Sequence, residues 1–144
     1  QMFAKALPMI QTIGSLKRLE LLRNHPELKD KLWENVDALQ NGLRERNFNI
    51  GDTNTCVTPV YLEGSVPEAM IMVNDLRENY GIFLLIVIYP VIPKGIILLR
   101  MIPTTSHTLS DVDETLTAFE AIREKLENGT YKEIASRTTV DLDA

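Results

Sequence analysis

The stretch GIFLLIVIYPVIPKGIILLRMIPTTS, residues 81–106, decides how the chain folds. Two apolar, β-branched runs, 82–89 and 96–102, flank a Pro-Val-Ile-Pro-Lys-Gly connector. Runs of this length bounded by Pro and Gly read as buried strands joined by a short loop. One charge interrupts the second run: Arg100, set among Leu98, Leu99, Met101 and Ile102. A guanidinium does not deprotonate in a protein, and burying it unpaired is costly. An anion should therefore meet Arg100. The residues alone leave two sources equally open, a carboxylate of the chain or a ligand.

Outward from this centre, the chain alternates helix and strand signals. Ile10, Ile13, Leu16, Leu19 and Leu22 recur at helical spacing behind Pro8, with Lys17, Arg18, Glu20 and Arg23 off that stripe. Asn24-His25-Pro26 interrupts, because the residue before a proline avoids the α region. A second helix is expected over 27–46, burying Leu28, Leu32, Val36, Leu39 and Leu43 and turning Lys29, Asp30, Glu34, Asp37 and Gln40 away. Residues 47–55 are turn-rich, with room for a short strand pair near Phe48 and Ile50. Residues 57–62 read as a strand that Pro59 assigns to an edge.

Ser65-x-x-Glu68 forms a capping box, with Pro67 in the first turn. The helix it opens buries Ala69, Val73, Leu76 and Tyr80 and ends at Gly81. After the central strands, Ser110-x-x-Asp113 starts the last long helix, with Thr108-x-x-Asp111 as the overlapping alternative. Its buried face is Val112, Leu116, Phe119, Ile122 and Leu126, and Asn128-Gly129 closes it. The polar tail from Thr130 has room for one helical turn around residues 131–135.

The expected order is α-α-β-α-β-β-α, an α/β (α+β) arrangement. A right-handed β-α-β crossover makes the first and second strands parallel. The connector folds the third back between them, giving a three-stranded, mainly antiparallel sheet covered by helices. Arg100 then lies on the central strand. Ile96, Leu98 and Ile102 share its face; Ile97, Leu99 and Met101 form the other. Both faces are apolar, so both should be covered, one by helices of this chain and the other by a neighbour.

The chain has 144 residues, of which 44% are hydrophobic and 24% charged, and this suits one ordinary globular domain. A net charge of −5 without a basic block argues against nucleic acid. No apolar run approaches the ~20 residues of a membrane-spanning helix, and no signal-peptide pattern opens the chain, so cytoplasm is expected. The lone Cys56 excludes an internal disulfide and reads as a small core residue. His25 and His107 make no metal constellation; each sits at a junction where hydrogen bonding suffices. Lys94 reads as a turn lysine, and neither a phosphate loop nor a Gly-x-Ser-x-Gly elbow is present. Gln1 is an unusual beginning, and it suggests that the chain is part of something longer.

Residues 88–116, IYPVIPKGIILLRMIPTTSHTLSDVDETL, closely resemble the C-terminal signature of the α-oxoamine synthases, pyridoxal-phosphate enzymes of aminotransferase fold type I. FAKALPM (3–9) and KRLELLRNHPEL (17–28) resemble the segment and helix that follow the cofactor lysine in that family. The resemblance spans nearly all of residues 1–127. FAKALPM, NIGDTNT (49–55) and YPVIPKG look most like bacterial serine palmitoyltransferases, with glycine acetyltransferases and 8-amino-7-oxononanoate synthases as near alternatives.

That resemblance implies an aminotransferase-type small domain over 25–129, preceded by a lead-in and linker helix (1–24) and followed by a tail (130–144). It implies decarboxylative condensation of an amino acid, L-serine above all, with an acyl-CoA in a homodimeric enzyme of sphingolipid biosynthesis, the pyridoxal ring acting as electron sink. Arg100 would bind the amino-acid carboxylate through a two-pronged fork. Tyr89, Pro90, Val91, Ile92, Pro93 and Lys94 would close over the substrate. Lys5 would be the charged candidate for a cofactor-phosphate contact to the partner subunit, since the family often carries hydroxyl residues where this chain has Ala4-Lys5. A second arginine found before the loop in some relatives is Ile88 here.

None of the lysines sits in the context of the cofactor lysine. The chain alone is therefore expected to be inactive, its large domain missing. Without that large domain, Met2, Phe3, Leu7, Met9, Val91 and Ile92 should expose apolar surface. Two other classes remain in view: a freestanding module whose Arg100 captures a small carboxylate, and a structural domain with Arg100 in an internal ion pair.

Overall fold

The computed structural model describes residues 7–142. Helix α1 (Met9–Asn24) leads into α2 (Pro26–Glu45) through the expected break at His25. Strand β1 (Thr58–Glu63), helix α3 (Val66–Tyr80), strands β2 (Leu85–Val87) and β3 (Ile96–Met101) and helix α4 (Leu109–Glu127) follow in the expected order. An eighth element, α5 (Thr130–Leu142), extends well beyond the single turn that the polar tail suggested.

The sheet order is β1-β3-β2 with both pairings antiparallel, so β3 is central and Pro59 lies on an edge strand. Arg100 stands opposite Pro59 on one side and Leu85 on the other. Strand β2 is shorter than the apolar run 82–89. Only three of its residues pair with β3, while the residues before them are used in leaving α3. Gly81 takes a left-handed conformation (φ 67°) there, and the N–H groups of Gly81 and Ile82 both donate to the Leu76 carbonyl.

Helices α2, α3 and α4 enclose one face of the sheet. Leu39, Leu43, Met72, Leu76, Leu116, Phe119 and Ile122 pack with Val60, Ile97 and Leu99 in one continuous core. The approach of α2 to α4 requires Gly42, since a Cβ there would collide with the Leu116 side chain. The Ser65 capping box forms as read, with the Ser65 N–H donating to Glu68 Oε2 at 2.8 Å.

Several expectations are corrected. Gln40 is buried rather than turned away: its side-chain NH₂ donates to the Thr55 carbonyl (2.9 Å) and to Thr58 Oγ1 (3.1 Å), tying α2 to the start of β1. Thr108, not Ser110, caps α4. Asp111 Oδ2 accepts from both the N–H and the hydroxyl of Thr108, at 2.7 and 2.9 Å. The region near Phe48 contributes one bridge, Asn49 to Tyr61, in place of a strand pair.

Helix α5 is anchored by Tyr131, whose ring is buried and whose hydroxyl donates to Asp75 Oδ2 on α3 at 2.6 Å. Lys125 on α4 donates to the same oxygen at 2.8 Å, and Asn79 donates to the other at 2.6 Å. One carboxylate thus fastens three helices. Helix α1, by contrast, buries none of its residues: Met9, Ile10, Ile13, Leu16, Leu19, Leu21 and Leu22 are all exposed.

Candidate functional site

Strand alternation splits β3 into two unlike faces. Ile97, Leu99 and Met101 point into the core, whereas Ile96 and Leu98 are half-buried and Arg100 is exposed. Cross-strand pairing extends the open face: Pro59 and Leu85 flank Arg100, and Tyr61 and Val87 flank Leu98. Leu85, Tyr61 and Ile102 all expose a large part of their side chains, and Phe83 beside them is 79% exposed. Arg100 is thus one cation within an apolar surface.

Among the described residues, Arg100 has no hydrogen-bond or ion-pair partner. The internal salt bridge that the sequence left open is therefore absent there. A guanidinium in this setting can offer two parallel N–H donors to a planar carboxylate, and neighbouring apolar side chains reduce the competition from water.

The turn that carries the chain out of β3 is held from a distance. Asn35 of α2, fully buried, donates to the carbonyls of Thr104 (3.0 Å) and His107 (2.9 Å). The His107 ring closes the same turn, its Nδ1 accepting from the Thr104 N–H at 3.0 Å. His107 is thus the junction residue that its position suggested. Asn35 was not singled out in the sequence, although a signal was there: it continues the buried spacing Leu28, Leu32, Asn35, Leu39. A polar residue on such a stripe needs a partner, and here it braces the segment following Arg100.

The connector after β2 is solvent-facing. Tyr89, Pro90, Val91, Pro93 and Lys94 are exposed and Ile92 is half-buried. The Tyr89–Pro90 peptide is cis, and the Lys94 ammonium lies over the Tyr89 ring, 5.0 Å from its centroid. Leu7 and Met9 are exposed as expected, while Met2, Phe3, Ala4 and Lys5 lie outside the described residues.

A cleft of about 250 Å³ opens between the end of α3 and the start of α4, with Tyr80, Pro103, His107, Asp111 and Glu114 on its walls, and it shares Phe83 and Ile102 with the open face. Asp111 is already committed to the α4 cap. The Thr108 N–H and hydroxyl hold its carboxyl below the usual range. No cluster of His, Cys, Asp or Glu among the described residues could hold a metal ion, and no described helix is long and apolar enough to cross a membrane.

No family model matches the chain. Over 99% of its length it is 68% identical to the cysteate-C-fatty acyltransferase of Capnocytophaga ochracea, covering 34% of that protein. It is 34% identical over 87% of its length to the 8-amino-7-oxononanoate synthase of Symbiobacterium thermophilum, covering 31% of it. Among solved structures, a serine palmitoyltransferase from S. paucimobilis with a bound PLP–myriocin aldimine superposes with a TM-score of 0.73. That match has 25% identity and covers 87% of this chain and 31% of the other. The chain spans about a third of the length of the curated relatives it matches. Its homologues are α-oxoamine synthases, and it corresponds to their small C-terminal domain.

These relatives are pyridoxal-phosphate enzymes. The described residues do not by themselves fit that cofactor. Lys17 and Lys125 are paired with Glu20 and Asp75, and Lys29, Lys31, Lys94 and Lys132 stand exposed, so no lysine among the described residues sits in an enclosed pocket where an aldehyde could be held.

Proposed function

We propose that this chain is the small C-terminal domain of a pyridoxal-phosphate-dependent acyltransferase that condenses cysteate with a fatty acyl-CoA, releasing CO₂. The observation that carries this reading is the 68% identity to a cysteate-C-fatty acyltransferase over 99% of the chain. In this reading residues 25–129 are the domain proper, residues 1–24 its linker, and the whole is a cytoplasmic homodimer. The resemblance to serine palmitoyltransferases favoured L-serine. The higher identity to the cysteate enzyme supports the sulfonated analogue instead.

Arg100 binds the α-carboxylate of the amino acid. Its exposure, its lack of a carboxylate partner and its central place on the open sheet face support the role. Two forked hydrogen bonds fix the carboxylate plane, and with it the direction of the bond that is lost as CO₂. The braced turn behind Ile102 keeps the strand end from shifting as the substrate enters. Residues 89–94 form the mobile edge that closes over the bound amino acid.

The test is a comparison of CO₂ release by the complete enzyme from cysteate, L-serine, L-alanine and glycine with one long-chain acyl-CoA. Cysteate is expected to give the highest kcat/KM by about tenfold or more, corresponding to roughly one charge-assisted interaction. Arg100→Ala and Arg100→Lys should both lose most of it, since an ammonium does not reproduce the planar fork. Preference for serine or glycine would overturn the assignment.

A further inference from the structure

We infer that Lys94 is the specificity-determining cation that receives the sulfonate of the amino-acid substrate; the inference rests on the reading of that substrate as cysteate. Cysteate carries two acidic groups on a three-carbon frame. Once Arg100 takes the carboxylate, the sulfonate enters an apolar surface and needs a cation of its own, because an unpaired charge there is strongly disfavoured.

Within the segment that carries Arg100 the candidates are few. Between Gly81 and Ser106 the only charged residues are Lys94 and Arg100, and no acidic residue lies in the stretch to neutralise either. Of the described cations outside it, Arg46 pairs with Glu120, Arg77 with Glu78 and Lys125 with Asp75, while Arg18, Arg23, Lys29, Lys31 and Lys132 lie on helices α1, α2 and α5 rather than on the strands or the connector. Lys94 has no carboxylate partner and instead stands over the Tyr89 ring. That contact restrains the long side chain while leaving its N–H donors free.

The spacing is suitable. Leu85 pairs with Arg100 and Val87 with Leu98, so β2 runs from the arginine toward the connector. At about 3.3 Å per residue, Val87, the last residue of β2, lies roughly 7 Å along the strand from the Arg100 row, and Tyr89 follows two residues on, in the turn. The two acidic groups of cysteate lie roughly 4 Å apart by ordinary bond lengths. In the proposed complex the substrate bridges the guanidinium on the central strand and the ammonium on the connector. The donor shapes also match: a planar fork suits a carboxylate, and a compact ammonium with three rotatable donors suits the three oxygens of a sulfonate.

The experiment measures dissociation constants of cysteate and L-alanine by calorimetry on the complete enzyme without acyl donor, for wild type, Lys94→Gln and Lys94→Arg. L-Alanine lacks only the sulfonate. Wild type should favour cysteate, and Lys94→Gln should reduce that preference by about 10- to 100-fold, the range of a hydrogen bond to a charged group. Lys94→Arg should keep most of it, because charge is retained. If wild type does not favour cysteate, the substrate reading fails and the inference with it. If wild type favours cysteate and Lys94→Gln does so equally, the inference alone is overturned. An unchanged preference, together with a raised KM for acyl-CoA in a parallel turnover assay of the same variants, would likewise overturn it, assigning Lys94 to the acyl donor's phosphates.

Discussion

The two faces of the three-stranded sheet are built from similar residues and meet opposite surroundings. On one, Val60, Ile97, Leu99 and Met101 lie under three helices and are almost wholly excluded from water. On the other, Tyr61, Leu85 and Ile102 around Arg100 are exposed and Leu98 is half-buried. Apolar character therefore does not distinguish the faces. What distinguishes them is the single cation, which the covered face could not accommodate without an anion beside it. The covered face makes the fold, and the open one, with its unpaired guanidinium, is suited to meet a ligand.

The sharpest way to break this contrast is to truncate the covered face. Leu99→Ala leaves a hole in a fully buried position and should destabilise the chain by about 3 kcal/mol, read as a lower denaturant midpoint. A loss below about 1 kcal/mol would mean that this face is not the principal core.

Much of this contrast was legible in the sequence. Strand period and the Pro-Val-Ile-Pro-Lys-Gly connector were enough to place Arg100 on a central strand between two antiparallel neighbours, because register follows from alternation and turn position. The Ser65 and Glu68 capping box was equally plain, since all of its partners lie within one turn. Asn35, Gln40 and Tyr131 were harder to read. Each is satisfied by a group far along the chain, the Thr104 and His107 carbonyls, Thr58 and Asp75 respectively. Local pattern carries no information on such pairings, so Gln40 looked like surface and α5 like a tail. The choice between the Thr108 and Ser110 caps was ambiguous because both have an acidic residue three positions on.

The clip on Asp75 sharpens the comparison from the side of the covered face. Tyr131→Phe removes one hydrogen bond to a charged group and should cost about 1.5–3 kcal/mol, with α5 loosening first in hydrogen exchange. Burial alone would raise the Asp75 carboxyl, but hydrogen bonds from Lys125, Tyr131 and Asn79 outweigh it and hold the group below its ordinary range. A carboxyl depressed in the folded state stabilises above its unfolded pKa, and that contribution disappears as pH falls through the folded value. Stability should therefore decline as pH drops below about 4. Asp75→Asn should show a shallower decline, and equal acid sensitivity in the variant would remove Asp75 from the account. The Tyr131 hydroxyl, pushed upward by burial and by Asp75, stays protonated throughout that window.

The smallest expected effect is the most decisive. Arg100 lies on the central strand of the sheet, where a structural arginine would be indispensable, yet it is exposed and has no partner among the described residues. If the open face serves a ligand, Arg100→Ala should leave the stability of the 144-residue chain unchanged within ~0.5 kcal/mol. The measurement is a pair of denaturant melts, wild type against Arg100→Ala, at neutral pH. Coincident midpoints are the predicted result. A loss of about 3 kcal/mol or more, the signature of a broken buried ion pair, would contradict the assignment of Arg100 to substrate rather than to the fold.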